Sequence, residues 1–170
     1  MMPEDLTRTA RAEGQPLSET DNVEDMYLTF ALGGEDYGVG IGGVTEIVGM
    51  QRIMGVPDVP AWIKGVINLR GKVIPLVDVR LRFGMAERAY DDRTVIIVLE
   101  VAAAPVGLIV DGVSEVLDIP PAQIDRPGQF GRSRSPVMGL ARVGDRVTIL
   151  LDAEVLVADG DLALPAELEA

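Results

Sequence analysis

Gly65-Val66-Ile67-Asn68-Leu69-Arg70-Gly71-Lys72-Val73-Ile74-Pro75-Leu76-Val77-Asp78 reads as two strands around a tight turn. Val66, Ile67 and Leu69 form one apolar run, and Val73, Ile74, Leu76 and Val77 the other. Arg70-Gly71-Lys72 separates them, and Gly71 can take the positive φ that a short hairpin turn demands. Pro75 cannot donate a ladder hydrogen bond, which predicts an edge strand or a bulge. A proline in a strand and a lone arginine at the turn, with no nucleophile nearby, suggest a surface built for contact rather than for chemistry.

The rest of the composition agrees with a strand-rich reading. The 170 residues are 48% hydrophobic but include only three Phe, three Tyr and Trp62, so the core must be Val, Ile and Leu, which favours strands. There is no Cys and no His. That excludes disulfides, thiolate nucleophiles, Cys/His zinc sites, histidine acid–base roles and a phosphohistidine on this chain. The net charge of −12 is concentrated at the ends. Residues 1–25 hold seven acids and two arginines, and residues 152–170 hold six acids and no base. The middle is nearly neutral, and no basic face for nucleic acid is visible. No apolar run approaches the ~18 residues of a membrane span, and no signal peptide is evident, so a cytoplasmic protein is expected.

Taken in order, residues 1–25 read as a disordered acidic arm. Met26–Leu32 and Tyr37–Ile41 read as a hairpin about Gly33-Gly34-Glu35-Asp36, and 44–48 as a further strand. Residues 51–61, with Pro57 and Pro60, read as loop. Residues 79–83 fit a helical turn or a strand extension. Thr94–Val101, Pro105–Val110 and Val113–Leu117 read as strands, the last two split by Asp111-Gly112. Pro120–Pro136 reads as a long loop, 137–143 and 147–151 as a hairpin about Gly144-Asp145, and 153–157 as a short helix before an acidic tail over 161–170.

The sequence repeats itself. Gly38, Gly43, Val44, Thr45, Glu46 and Ile47 match Gly107, Gly112, Val113, Ser114, Glu115 and Val116 at an offset of 69. Gly65, Lys72, Val73, Leu76 and Asp78 match Gly139, Arg146, Val147, Leu150 and Asp152 at an offset of 74. Two related halves follow, each of about five short strands. Closure of each into a small barrel would remove exposed edges and leave a groove between them, a common place for ligands.

These blocks, in this order, resemble the CheW family of bacterial chemotaxis coupling proteins. The resemblance rests on Tyr37-Gly38-Val39, Val44-Thr45-Glu46-Ile47, Pro60-Ala61-Trp62-Ile63-Lys64-Gly65-Val66-Ile67-Asn68-Leu69-Arg70-Gly71, Ile74-Pro75, Asp78, Arg80 and Val110-Asp111-Gly112-Val113-Ser114-Glu115-Val116. It extends over residues 26–160, between the arm and the tail. It implies an all-β fold of two intertwined five-stranded SH3-like β-barrels, with short helices at connections and the C-terminus. It also implies a non-enzymatic, cofactor-free adaptor in signal transduction. Such a scaffold couples transmembrane chemoreceptors, through the tip of their cytoplasmic coiled-coil hairpin, to the regulatory domain of the histidine kinase CheA. The protein would be cytoplasmic and recruited to membrane-associated chemoreceptor arrays. The partner-binding positions implied are Val44, Glu46, Gly65, Arg70, Val95 and Ile96. Gly40, Gly42 and Gly43 depart from the family's usual larger or polar residues.

Each position has a plainer reading. Arg70 can be a solvated turn residue, although its guanidinium offers a rigid fork of donors. Glu46 recurs as Glu115, so it can belong to the repeat. Val44, Val95 and Ile96 fit a core on periodicity alone. Gly65 recurs as Gly139, which points to a backbone need. Trp62 can anchor a partner or pack beneath a loop. Asp78, Asp91, Asp92 and Asp111 form no recognisable catalytic set, and the glycines of 38–43 lack both the Rossmann and the P-loop spacing. Two alternatives stand beside the chemotaxis adaptor. One is a coupling protein of a non-flagellar receptor–kinase pathway. The other is a barrel that binds a small ligand.

Overall fold

The computed structural model describes residues 23–126 and 135–158. Its strands are β1 (Met26–Leu32), β2 (Glu35–Gly40), β3 (Val44–Gly49), β4 (Ile63–Leu69), β5 (Lys72–Asp78), β6 (Val95–Val101), β7 (Ala104–Val110), β8 (Gly112–Asp118), β9 (Ile124–Asp125), β10 (Val137–Val143) and β11 (Arg146–Leu151). Two short helices follow hairpins, α1 (Val79–Arg82) after β5 and α2 (Ala153–Ala158) after β11. The arm expected over residues 1–25 lies outside the described residues except for Val23–Asp25. Those three form a 3-10 turn, and the Asp25 carbonyl accepts a 2.8 Å hydrogen bond from Ile119 N–H. The tail expected over 161–170 lies outside the described residues altogether.

The strands form two sheets, ordered β8-β1-β2-β11-β10-β9 and β3-β6-β7-β5-β4. Each sheet belongs to its own compact unit. One unit joins the chain up to Gly42 with Val113–Asp152, and the other joins Gly43–Gly112 with α2. The internal repeat accounts for both orders. Exchanging β1, β2, β8, β10 and β11 for β6, β7, β3, β4 and β5 turns the first order into the second, β9 apart. Each unit therefore takes one hairpin from one sequence half and its other strands from the other half. The chain changes unit between Gly42 and Gly43, between Gly112 and Val113, and once more between Asp152 and Ala153; Gly43 and Gly112, matched by the offset of 69, stand at the first two. The intertwining implied by the resemblance is thus present in the strand order.

The repeated residues have repeated jobs. β2 runs parallel to β11 with Gly38 opposite Leu150, and β5 parallel to β7 with Leu76 opposite Gly107. A Cβ at Gly107 would sit 2.6 Å from Leu76 Cδ2 and 2.7 Å from Ile96 Cγ2, and one at Gly38 would sit 3.1 Å from Leu150 Cδ2. The missing side chains let a leucine fill each parallel seam. Asp78 N–H donates to the Trp62 carbonyl and Asp152 N–H to the Pro136 carbonyl, both at 2.8 Å. Both partners are displaced by 74, so the two hairpins end on the same lock.

In the second unit, Ile67, Ile74, Leu76, Ile96, Val98 and Ile109 form one buried cluster, with Val48 and Leu69 packed against it. Side chains of all five strands meet there, including those of the outer strands β3 and β4. A sheet whose two edges share one core is curled on itself. In the first unit, Tyr27, Ile119, Ala141 and Leu150 form the equivalent cluster. Full burial of each large aliphatic side chain contributes about 1.5–3 kcal/mol.

Three local expectations need adjusting. Pro75 is on an inner strand, not an edge. The ladder from β5 to β7 starts only at Leu76, so its missing N–H takes no bond from that ladder, and a register shift in β4 lies close by, between Ile63 and Gly65. The first hairpin turns on Gly33-Gly34 alone, since Leu32 already pairs with Glu35. The connections expected to be plain loop carry extra pairing: Met54 bridges Val66, and β9 pairs with β10.

Candidate contact surface at the Arg70 hairpin

Leu69 pairs with Lys72, which leaves a two-residue turn of Arg70 and Gly71. Both have positive φ, 54° and 86°. That pattern is the type I′ turn, whose twist suits a hairpin. Asn68 Oδ1 accepts from Gly71 N–H at 3.0 Å and helps to hold it. Arg70 does not point freely into solvent as a turn arginine would. Its Nη1 and Nη2 donate to Glu46 Oε2 and Oε1 at 2.6 and 2.7 Å. This is a fork-to-fork pair between the β4–β5 turn and β3, and such pairs are the strong, directional kind. The arginine side chain remains 67% exposed and that of Glu46 31%. Hydrogen bonding from the guanidinium holds the Glu46 carboxyl below the usual carboxylate range, and Glu46 in turn raises Arg70.

Two of the six expected positions are therefore joined. Beneath them lies a concavity of about 230 Å³ lined by Thr45, Leu69, Lys72, Ile74 and Val98 among others. β3 alternates along this side: Glu46 and Val48 are half-buried, whereas Ile47 faces outward and is 36% exposed. Val44 is half-buried at the register shift that precedes Glu46. Val95 is half-buried and pairs with Gly49 on β3 and Val110 on β7. Ile96 is fully buried in the core cluster, so its side chain supports the surface from behind. Gly65 has φ +142°, and a Cβ there would strike the Met54 carbonyl and approach Ile53 Cγ2 to 2.9 Å. Its role is to admit the 51–61 segment against β4.

Other polar groups in the same unit brace the hairpin. Asp78 is 2% exposed; its Oδ1 caps α1 by accepting from Leu81 N–H, and its Oδ2 accepts 2.7 Å from Tyr90 Oη. Burial first, then this bond to Asp78, raises the Tyr90 phenol well above its ordinary value. Asp111 receives Arg80 through Nε and Nη2 at 2.9 and 3.0 Å, and Arg88 at 3.0 Å. Trp62 lies under the Arg82 guanidinium, 5.2 Å from ring centroid to Cζ, and Arg82 Nε donates to the Leu156 carbonyl on α2. Sequence reasoning noticed Asp78, Arg80, Asp111 and Trp62 but not these pairings. An Asp directly before a short helical run was the available signal for the cap.

The CheW-like domain model matches residues 26–161. The chain belongs to the CheW family. It is 38% identical over 146 residues to the chemotaxis protein CheW of Klebsiella aerogenes, covering 85% of this chain and 88% of that one. It is 31% identical over 159 residues to the CheW of Treponema pallidum, with 90% and 93% covered. Among solved structures it resembles a scaffolding protein of Thermoanaerobacter tengcongensis, also a CheW, at a TM-score of 0.75 and 34% identity. That match covers 84% of this chain and 99% of that one. CheW proteins are non-enzymatic scaffolds, and the all-β fold of two sheets described above is theirs. Among the described residues no helix is long and apolar enough to cross a membrane.

Proposed function

We propose that this protein is the adaptor that couples transmembrane chemoreceptors to the regulatory domain of the histidine kinase CheA, and that the Arg70–Glu46 pair is the polar centre of one of its partner contacts. The observation that carries this is the exposed, pre-formed fork. Arg70 spends two N–H groups on Glu46 and keeps three more for a partner's acceptor. Both side chains are already ordered before any partner arrives, which lowers the entropic cost of binding. Outward-facing Ile47 and half-buried Val44 and Val95 supply apolar area on β3 and β6 around it. Gly65 and Ile96 act indirectly, by fixing the backbone and the core beneath.

The test is co-sedimentation with receptor fragments and kinase, together and separately. The unaltered chain brings both partners into one pellet. Arg70→Ala loses about tenfold to a hundredfold in affinity for at least one partner, the scale of a lost charge-assisted bond. Unchanged binding of Arg70→Ala to both partners would reduce Arg70 to a structural partner of Glu46.

A further inference from the structure

The internal repeat builds the Arg70 concavity a second time, in the other unit, without its arginine. That groove holds about 190 Å³ and is lined by Thr29, Asp36, Ser114, Glu115, Val143, Arg146 and Thr148 among others. Residue by residue it matches the first: Ser114 for Thr45, Glu115 for Glu46, Val143 for Leu69, Arg146 for Lys72 and Thr148 for Ile74. Strand pairing places Glu115 beside Thr29 as Glu46 lies beside Val98. The Thr29 hydroxyl donates to the Glu115 carbonyl at 2.8 Å and accepts from its N–H at 3.1 Å. The position corresponding to Arg70 is Gly144, the first residue of the β10–β11 turn, with φ +61° and open space where a Cβ would be.

Three further facts distinguish this groove from a leftover of duplication. Where the first concavity is apolar at Val98 and Ile74, this one carries the hydroxyls of Thr29 and Thr148. Thr148 is 2% exposed and lines the groove, and among the described residues its hydroxyl has no hydrogen-bond partner. A buried hydroxyl without a partner is costly unless a ligand or water meets it. Arg146 does not fill the arginine's place, because it turns to an ion pair with Asp36. Glu115 keeps its carboxylate without an ion pair among the described residues.

We infer that this groove binds a guanidinium group carried by an arginine of a partner protein. Glu115 takes its fork as Glu46 takes that of Arg70, and the Thr148 hydroxyl accepts a further N–H. The site does not depend on the Arg70–Glu46 contact, since it lies in the other unit and uses none of the same residues.

The arginine hairpin of this chain is itself the natural probe. A cyclised peptide of residues 67–74, with Arg70 at its turn, is titrated into the isotope-labelled full chain and followed by amide NMR shifts. The expected result is saturable movement of Ser114, Glu115 and Thr148. Citrulline in place of the arginine should abolish it, and Glu115→Gln should weaken it by about tenfold, the scale of a lost ion-paired hydrogen bond. The double variant Gly144→Arg/Asp145→Gly recreates the Arg-Gly turn in cis, so it should fold and block the peptide. Peptide binding that survives Glu115→Gln or the double variant, or no saturable shift, would overturn the site. Equal binding of methylguanidinium alone would overturn the protein partner.

Discussion

At the scale of single residues, Arg70 and Glu46 were legible as candidates but not as a pair. Nothing in the spacing of 24 residues tells that a turn and a distant strand will meet; that follows from the curl of the sheet. Their bond has a pH consequence with a definite sign. Glu46 is held below its unfolded value, so the stabilisation is present above the ordinary carboxylate range. It is lost as pH falls through the lowered folded value. An NMR titration of the Glu46 carboxyl should show the low midpoint, and Arg70→Ala should return it to the ordinary range. The exchange Glu46→Arg/Arg70→Glu should rebuild the bond without restoring partner affinity, which separates a structural pair from a contact. The glycines were partly legible. The recurrence of Gly65 and Gly139 pointed to backbone, and the geometry supplies the reason. Gly65→Ala should destabilise by roughly 2 kcal/mol or more, because it adds both a positive-φ penalty and a collision. Gly107→Ala should cost about 1–3 kcal/mol through overpacking against Leu76 and Ile96. Chemical denaturation measures both.

At the scale of elements, strands with Gly-containing turns were readable because the turn residue announces its φ. The runs of β6 and β7 were readable too, but the turn that joins them was not announced, since it is Ala102-Ala103 and both alanines sit at positive φ, 53° and 69°. Nothing in an Ala-Ala pair signals a type I′ turn. The same fact makes a prediction. Ala102→Asn with Ala103→Gly installs the residues that tolerate this conformation. It should stabilise the chain by about 1 kcal/mol, the scale of left-handed strain in an L-residue. A lower denaturation midpoint would contradict it. β9 and the Met54 bridge were illegible for another reason: they are short additions to a strand edge, stabilised by pairing rather than by their own pattern. The Asp78 lock belongs at this scale too. Tyr90→Phe should cost about 1–2 kcal/mol by leaving one oxygen of a buried carboxylate without its donor. A melting curve that does not shift would remove Tyr90 from the brace of the hairpin.

At the scale of the molecule, the repeat offsets of 69 and 74 named which strands are equivalent, so that one sheet order implies the other. What they did not carry is which half lends a hairpin to which unit, because strand exchange leaves no mark on periodicity. The motif blocks around Asn68-Leu69-Arg70-Gly71 carried the functional reading, the missing His and Cys only weighed against an enzyme, and the family match bears out the first. The central claim is that Arg70, held by Glu46, is a contact that couples receptor to kinase. The most direct measurement is ternary co-sedimentation of receptor fragments and kinase with the unaltered chain and with Arg70→Ala, with folding checked by melting on the same samples. The account predicts that the two proteins melt within the small difference an exposed ion pair contributes, and a ternary pellet with the unaltered chain that is largely lost with the variant. An undiminished pellet with Arg70→Ala, or a loss that tracks a fall in melting temperature, would contradict it.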